Sequence, residues 1–311
     1  VAEHLAVLCG GLGGSRLVHS LALAAGQDRV TAIGNIGDDL EFLGLHVSPD
    51  LDTVLYTLSG LLDEERGWGV REESYGALQM AAQLGEESWF TLGDRDIGLH
   101  LARTRRLRAG VPLSAVTAEL CGALGVGARL LPATDDPLRT FVRTDAGELD
   151  FQTWFVGRRH ADAVRGVRYE GADAARPAPG VAEALAGAAA VLVAPSNPFV
   201  SIGPILAVPG IRGAIRACGG PVAAVSPLVG GEAIRGPLAG MMETLGHEPT
   251  AAGVARLYAD LADTFVLDTA DAGLAAEVEL LGLRPVVCDT VMVDPARRGE
   301  IGRQVLQGVL G

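Results

Sequence analysis

Lysine is missing from this chain: the 25 residues counted as Lys+Arg are all arginine. That excludes a lysine Schiff base and the phosphate-binding lysine of a P-loop, because both need an ε-amino group. Cysteine is sparse. Cys9, Cys121, Cys218 and Cys288 lie far apart with no C-x-x-C pair, which argues against a disulfide framework or a zinc site and fits a reducing compartment. The six histidines form no H-x-x-x-H pair and no Cys/His cluster, so a dedicated transition-metal site is not expected. Positive charge is short as well, with 25 basic against 38 acidic residues and a net charge of −13. Nucleic acid and anionic membrane call for a basic face, so neither is an expected partner. No apolar run is long enough to span a bilayer and the N-terminus lacks a basic-then-apolar pattern, so a soluble, cytoplasmic protein is expected. A nucleotide-sized ligand survives these exclusions, since local arginines and backbone amides can hold it.

What the chain does have is length, at 311 residues enough for a sizeable core, and a recurrent pattern of short apolar runs. These fall at Leu5–Cys9, Val30–Ile33, Ala190–Ala194, Val222–Val225, Thr264–Leu267 and Val286–Cys288. Most lead through a polar or glycine-rich loop into a helical pattern, as the buried strands of a doubly wound parallel sheet do. Helical periodicity covers Ser15–Ala25, Thr53–Leu62, Glu72–Leu84, Arg95–Ala109, Ser114–Leu124, Gly230–Leu245 and Gly253–Leu261. Between about residues 60 and 128 the signal is helical and strand-free, which predicts a helical insertion on the sheet. Residues Arg139–Val156 alternate, predicting a β-hairpin with its turn at Asp145–Gly147. Residues 158–180, charged and then rich in Pro, Gly and Ala, are expected to lead back into the sheet. The expected fold is α/β and Rossmann-like: a mostly parallel sheet with a helical insertion and a β-hairpin, in one domain over residues 1–311.

The run LAVLCGGLGGSR places Gly10, Gly11, Gly13 and Gly14, followed by Ser15, between a strand and a helix. Glycines there let the backbone approach an anion, and a helix N-terminus adds free N–H groups and a favourable dipole. The dinucleotide pattern G-x-G-x-x-G fails at Arg16, and Asn35 stands where the second strand should end in an acid. The P-loop pattern fails too, so an anion site of another type is expected; a tight turn without ligand is the alternative. Two further loops share this character: Pro195-Ser196-Asn197-Pro198, and the run from Ser226 through Gly230 and Gly231. In an open parallel sheet the loops after the strands gather along one edge, where ligands bind. None of Ser15, Ser196 and Ser226 sits in G-x-S-x-G, and spacing assembles no catalytic triad.

Four carboxylates follow the glycine run. Asp50 and Asp52 flank Leu51 before an apparent helix; Asp52 reads equally as a helix N-cap, Asp50 less so. A carboxylate there can bind Mg²⁺ bridging two phosphates or accept a proton from an attacking hydroxyl. Asp38 and Asp39 are adjacent and should diverge in regular structure, with a shared metal or plain solvent exposure both open. In LGDRD, Arg95 sits between Asp94 and Asp96, which reads either as first-turn helix acids or as an arginine held by its acids for a ligand.

Together, GGLGGSR, GNIGDD, GLHVSPDLDTVLYTLSG, WFTLGDRD and SPLVGGEAIRGP resemble the 2-phospho-L-lactate transferases of coenzyme F420 biosynthesis. LPATDDPLRTFV and FQTWFVGRRH extend the likeness, which runs from the first strand to near the C-terminus. The resemblance implies a Rossmann-like homodimer that requires Mg²⁺ and acts on FO, a deazaflavin with a ribityl chain. Its donor would be a guanosine diphosphate ester of lactate, or of enolpyruvate in actinobacterial members, and GMP would leave. By that likeness Asp50 and Arg95 contact FO. The residues themselves make Asp50 the catalytic candidate, to orient or deprotonate the FO hydroxyl or to bind the Mg²⁺ that activates it, and offer Asp50 with Asp52 as metal ligands. Gly10, Gly11, Gly13, Gly14, Ser15, Asn35, Ser196, Asn197, Pro198, Ser226, Gly230 and Gly231 would line the guanosine nucleotide site. Arg235 departs from the lysine that many members carry, keeping charge but changing geometry. The competing expectation is a non-catalytic regulator that binds nucleotide sugars on a similar core; an NAD-linked dehydrogenase is disfavoured by Arg16 and Asn35.

Overall fold

Strands buried on both faces need uninterrupted apolar sequence, and the shortest apolar runs of the chain supply it. The structure, a computed structural model, describes residues 4–233 and 236–311. Its central sheet has seven strands: β1 (Leu5–Cys9), β2 (Val30–Gly34), β3 (Arg129–Pro132), β4 (Ala190–Val193), β5 (Val222–Val225), β6 (Thr264–Asp268) and β7 (Arg284–Cys288). Their order is β7-β6-β5-β4-β1-β2-β3, and all neighbours run parallel. The chain thus builds outward from β1 in one direction through β2 and β3, then returns to its other side at β4. That reversal is the topological switch point, at the C-terminal ends of β1 and β4. The fold is α/β and Rossmann-like, as expected.

Every residue of β1, β2, β4, β5 and β6 is buried, whereas β3 and β7 at the two edges expose arginines and each carries a proline. Proline removes a ladder donor and is tolerated at edges. Strand β3 was not expected, because RLLP offers only two strongly apolar residues between an arginine and a proline.

Helix α1 (Gly11–Ala25) starts inside the glycine run, four residues earlier than the periodicity predicts. The last helix, Arg298–Leu310, also not expected, packs along α1. Gly302 permits that approach, since a Cβ there would collide with the Ser20 carbonyl. Helix α2 (Pro49–Leu58) likewise begins four residues earlier than predicted and so includes Asp50 and Asp52. Residues 60–128 hold α3 (Gly76–Gln83), α4 (Asp94–Arg108) and α5 (Leu113–Ala123), with a lone Leu62–Val70 bridge.

The expected hairpin forms from Arg139–Thr144 and Gly147–Asp150, but Thr153–Gly157 turns helical and a third strand, Val164–Glu170, joins it. A small hairpin, Leu40–Phe42 with Leu45–Val47, was not expected. The helix expected over Gly230–Leu245 is instead a short hairpin (Leu228–Val229 with Glu232–Ala233) and a helix over Leu238–Thr244. Arg235 lies outside the described residues.

Candidate functional site

One cavity of about 600 Å³ opens at the switch point. Gly10, Gly11, Leu12 and Gly13 form its floor from the β1–α1 junction, with Asp50 and Thr53 of α2 beside them. Pro195, Ser196 and Asn197 come from the loop after β4, Ser226 and Pro227 from the loop after β5, and Thr290 and Met292 from beyond β7. The loops after several strands therefore meet at one edge, as the parallel order requires. Aromatic side chains from inserted elements, Trp68, Phe90, Phe151 and Phe155 among them, complete the walls.

The floor works through backbone. Gly11 adopts a left-handed φ of 62°, and its N–H donates to Asp50 Oδ1 at 2.6 Å. A Cβ on Gly10 would strike Asp50, and one on Gly13 would strike the Pro195 carbonyl, so the cradle can close only with glycine at both positions. Ser196 holds it from the far side: its hydroxyl donates to the Gly10 carbonyl at 2.7 Å and accepts the Gly10 N–H at 3.2 Å.

Asn35, at the end of β2, organises the acids. Its Nδ2 lies 2.9 Å from Asp50 Oδ2 and 3.2 Å from Asp38 Oδ1, while Gly37 N–H donates to its Oδ1 at 2.8 Å. Gln152 Nε2 reaches Asp38 Oδ2 at 3.2 Å from the opposite wall. Burial pushes Asp50 up to about 6, against the hydrogen bonds from Asn35 and Gly11 that favour its anion. Asp38 is raised well above the ordinary carboxylate range, first by burial and then by the neighbouring charges of Asp50 and Asp39. Asp39 turns the other way, to His46 Nε2 at 3.0 Å and the Ser48 hydroxyl at 2.8 Å. The adjacent pair thus diverges, and neither acid is solvent-exposed.

Asp52 has a different occupation from the expected metal ligand. Both its oxygens engage the buried guanidinium of Arg103, so its charge is already matched. Around that pair Tyr56 donates to Asp96, and His100 lies 3.2 Å from both Arg103 and Asp96. Tyr56, Asp96 and His100 line the cavity.

Other expected residues fall outside its walls. Ser15 is buried beneath the floor, donating to the Leu12 carbonyl and meeting the Thr57 hydroxyl at 3.0 Å. Gly14 packs on Ser196 and Cys9, and Asn35, Pro198, Gly230 and Gly231 do not line the cavity. Asn197 and Ser226 reach the wall, but Asn197 Oδ1 caps the turn at Phe199 and the Ser226 hydroxyl donates to Leu228 within its own loop. Arg95 is exposed and donates to the Arg71 carbonyl at 2.9 Å; neither flanking acid pairs with it, since Asp94 caps α3 and Asp96 accepts from Tyr56. The likeness that singled out LGDRD thus leads to the cavity through Asp96. Sequence reading missed Arg16, Gln152, Tyr56 and His100 as cavity residues. For Arg16 the signal was its helical spacing from Leu12 and Gly13, which puts all three on one face.

Among the described residues no group of three His, Cys, Asp or Glu side chains stands ready to hold a metal. Asp38 and Asp50, two buried carboxylates bridged by one amide and without a cation partner among the ion pairs found, nevertheless fit Mg²⁺ of the kind held by one or two carboxylates plus substrate phosphates. No helix among the described residues is long and apolar enough to cross a membrane.

An open parallel sheet with a glycine loop, buried acids and a cavity at its switch point defines a Rossmann-like α/β protein. The model of one family, 2-phospho-L-lactate transferase CofD, matches residues 5–307. The chain is 45% identical over 309 residues to a phosphoenolpyruvate transferase of Streptomyces griseus, covering 97% of both proteins. It is 40% identical over 327 residues to one of Mycobacterium avium, again covering 97% of both. A Bacillus halodurans protein of the upf0052 family shares the fold, with a TM-score of 0.61 at 16% identity over 93% of each chain. This chain belongs to the 2-phospho-L-lactate transferase family.

Proposed function

We propose that the protein transfers a phosphoenolpyruvyl group from a guanosine diphosphate ester to the terminal ribityl hydroxyl of FO, releasing GMP, in coenzyme F420 biosynthesis. The single observation that carries this reading is the contact between Asp50 and the cradle, Gly11 N–H to Asp50 Oδ1 at 2.6 Å. It sets a carboxylate with a raised pKa beside the backbone donors suited to a diphosphate. The names of the actinobacterial relatives favour enolpyruvate over lactate as the carried acid. A cavity of about 600 Å³ is within the usual range for sites that enclose small organic ligands.

A primary alcohol attacks poorly unless its proton has an acceptor. In this mechanism Asp50 takes that proton, while the alcohol oxygen bonds to the phosphorus distal to guanosine. The bond from that phosphorus to the bridging oxygen breaks, and GMP leaves with the oxygen and its electron pair. Asn35 holds Asp50 in place, and the Leu12 and Gly13 N–H groups in the first turn of α1 bind the phosphate oxygens. Asp38 and Asp50 would hold Mg²⁺ beside the diphosphate, where the ion would supply charge neutralisation. The aromatic walls exclude water, which would otherwise compete with the alcohol.

The test is an assay of purified protein with FO and Mg²⁺, offering the enolpyruvyl and lactyl diphosphoguanosine donors separately and following GMP and the FO product by chromatography. Product from the enolpyruvyl donor at the higher rate is expected. No product from either donor, with tight binding of a nucleotide sugar, would overturn the reading in favour of a binding regulator.

A further inference from the structure

One buried carboxylate on the cavity wall has no task in the mechanism above. Asp52 is matched by Arg103, and Asp38 and Asp50 share Asn35, whereas Asp96, 7% exposed, has no arginine partner among the described residues. Its two oxygens differ. Oδ1 accepts from the Tyr56 hydroxyl and faces His100 Nε2 at 3.2 Å. Arg103 Nη1 can only donate, so His100 Nδ1, 3.2 Å from it, accepts, which assigns the ring proton to Nε2. That N–H is too far out of line with Oδ1 for a hydrogen bond, but its positive end still draws Oδ1 inward. Oδ2 has no donor among the described residues and is not sealed in the core, so it is the oxygen left to the cavity. Tyr56 and His100 are themselves buried, which keeps the carboxylate from swinging.

The surroundings limit what that oxygen can take. A carboxylate repels phosphate and other acids, so the charged parts of a ligand belong elsewhere in the cavity. The wall beside it is apolar: Val47, Phe90 and Leu92 line the cavity and pack in one cluster with Ile97, the residue after Asp96. A flat ring suits such a wall better than a sugar, whose hydroxyls each need a polar partner. Tyr56 follows Asp50 by six residues, about 9 Å along α2. This corner therefore meets the end of a ligand remote from the group on which Asp50 acts.

We propose that Asp96 is a binding residue whose Oδ2 accepts from a ring N–H beside a carbonyl, the edge of a cyclic imide or lactam, and that Tyr56 and His100 are positioning residues that turn this oxygen to the cavity. The inference rests on the transferase reading for its two sources, the pyrimidinedione N–H of the deazaflavin and the lactam N–H of guanine. Both carry the donor at the end away from the reacting atoms. A ring without that N–H leaves a desolvated carboxylate oxygen unpaired, so the contact selects among rings of the same shape.

The experiment titrates wild type, Asp96→Asn and Tyr56→Phe calorimetrically with FO, N3-methyl FO, GDP and N1-methyl GDP in Mg²⁺, after thermal melts have established which variants fold. Asparagine keeps an oxygen for the Tyr56 hydroxyl but presents N–H₂ where the ring donates. Asp96→Asn is expected to weaken one parent ligand, FO or GDP, about 10–100-fold and the other less than about twofold. Which one falls names the source. The methyl analogue of that ligand should bind wild type about 10–100-fold more weakly than its parent, and Asp96→Asn with little difference between the two. Tyr56→Phe should weaken the same ligand by a smaller factor, about threefold to tenfold. In turnover the loss should appear in KM for that substrate with kcat within about threefold, a split that general damage to the site does not give. Unchanged or equally reduced affinities of Asp96→Asn for FO and GDP would overturn the proposal, as would wild-type binding of both methyl analogues as tightly as their parents. Should Asp96→Asn not fold, the methyl analogues carry the test on wild type. Wild type that binds neither FO nor GDP overturns the transferase reading and this proposal together, whereas binding of both without loss in Asp96→Asn overturns this proposal alone.

Discussion

Replacing Asp50 with asparagine should abolish turnover while making the protein more stable at alkaline pH. Burial raises the Asp50 carboxyl from an ordinary 3.8 to about 6. At about 1.4 kcal/mol per tenfold change in proton affinity, its ionisation in the folded state costs roughly 3 kcal/mol at pH 8. Asparagine removes that cost. It also weakens one charge-assisted hydrogen bond and sets an amide N–H₂ against a donor, either Gly11 N–H or Asn35 Nδ2, a loss of about 1–2 kcal/mol. The net gain of about 1–2 kcal/mol corresponds to a rise in Tm of roughly 1.5–3 °C for a chain of this size. The sign follows from linkage. A carboxyl raised in the folded state favours folding most below pH 3.8, and that benefit is lost as pH rises through about 6. The advantage of Asp50→Asn should therefore be full at pH 8, shrink between pH 6 and 4, and turn into a deficit of about 1–2 kcal/mol below, where only the mismatched amide remains. Turnover, followed as FO product by chromatography, should drop about 10²–10⁴-fold. Near-normal turnover would refute the role of Asp50 in moving the proton or holding the cation. A Tm lowered by several degrees at pH 8 would refute the account of its buried charge.

Three further outcomes are expected. In wild type, kcat/KM should rise with pH through about 6 as Asp50 ionises, and a profile flat between pH 5 and 7.5 would count against it. Arg103→Met should cost about 3–5 kcal/mol in urea unfolding, because it strands the buried Asp52 carboxylate; a loss below about 1 kcal/mol would show that water reaches Asp52. Gly13→Ala should weaken GDP binding about tenfold or more and lower the melting temperature by a few degrees, since the new Cβ forces the cradle away from the Pro195 carbonyl; calorimetric titration with GDP and a thermal melt check this.

Much of the scaffold was legible because its signal is local. The runs at Leu5–Cys9 and Val222–Val225 are strands with unchanged bounds, since a buried parallel strand advertises itself by unbroken apolar residues. Arg129–Pro132 escaped notice because an edge strand needs only half that signal. Val164–Glu170 escaped because its outward residues are arginines and an acid, which read as a loop until the alternation beneath them is followed. In the helix Arg298–Leu310, Ile301, Val305 and Val309 recur at helical spacing, but Gly299, Gly302 and Gly308 dilute the pattern. Gly302 is there for packing against α1, a long-range reason that no window along the chain contains.

The sequence by itself determined the class of fold, the glycine turn between β1 and α1, and the family, because these depend on residues close together in the chain. Only the tertiary structure decided which acids are poised and which are matched. Asp50 and Asp52 stand two residues apart on one helix, yet one meets Asn35 and a glycine N–H while the other meets Arg103. The same holds for Glu64, whose carboxylate an arginine 234 positions away grips with both Nη groups. Charge is read from composition, but its availability depends on burial and on partners, and the folded chain alone supplies both.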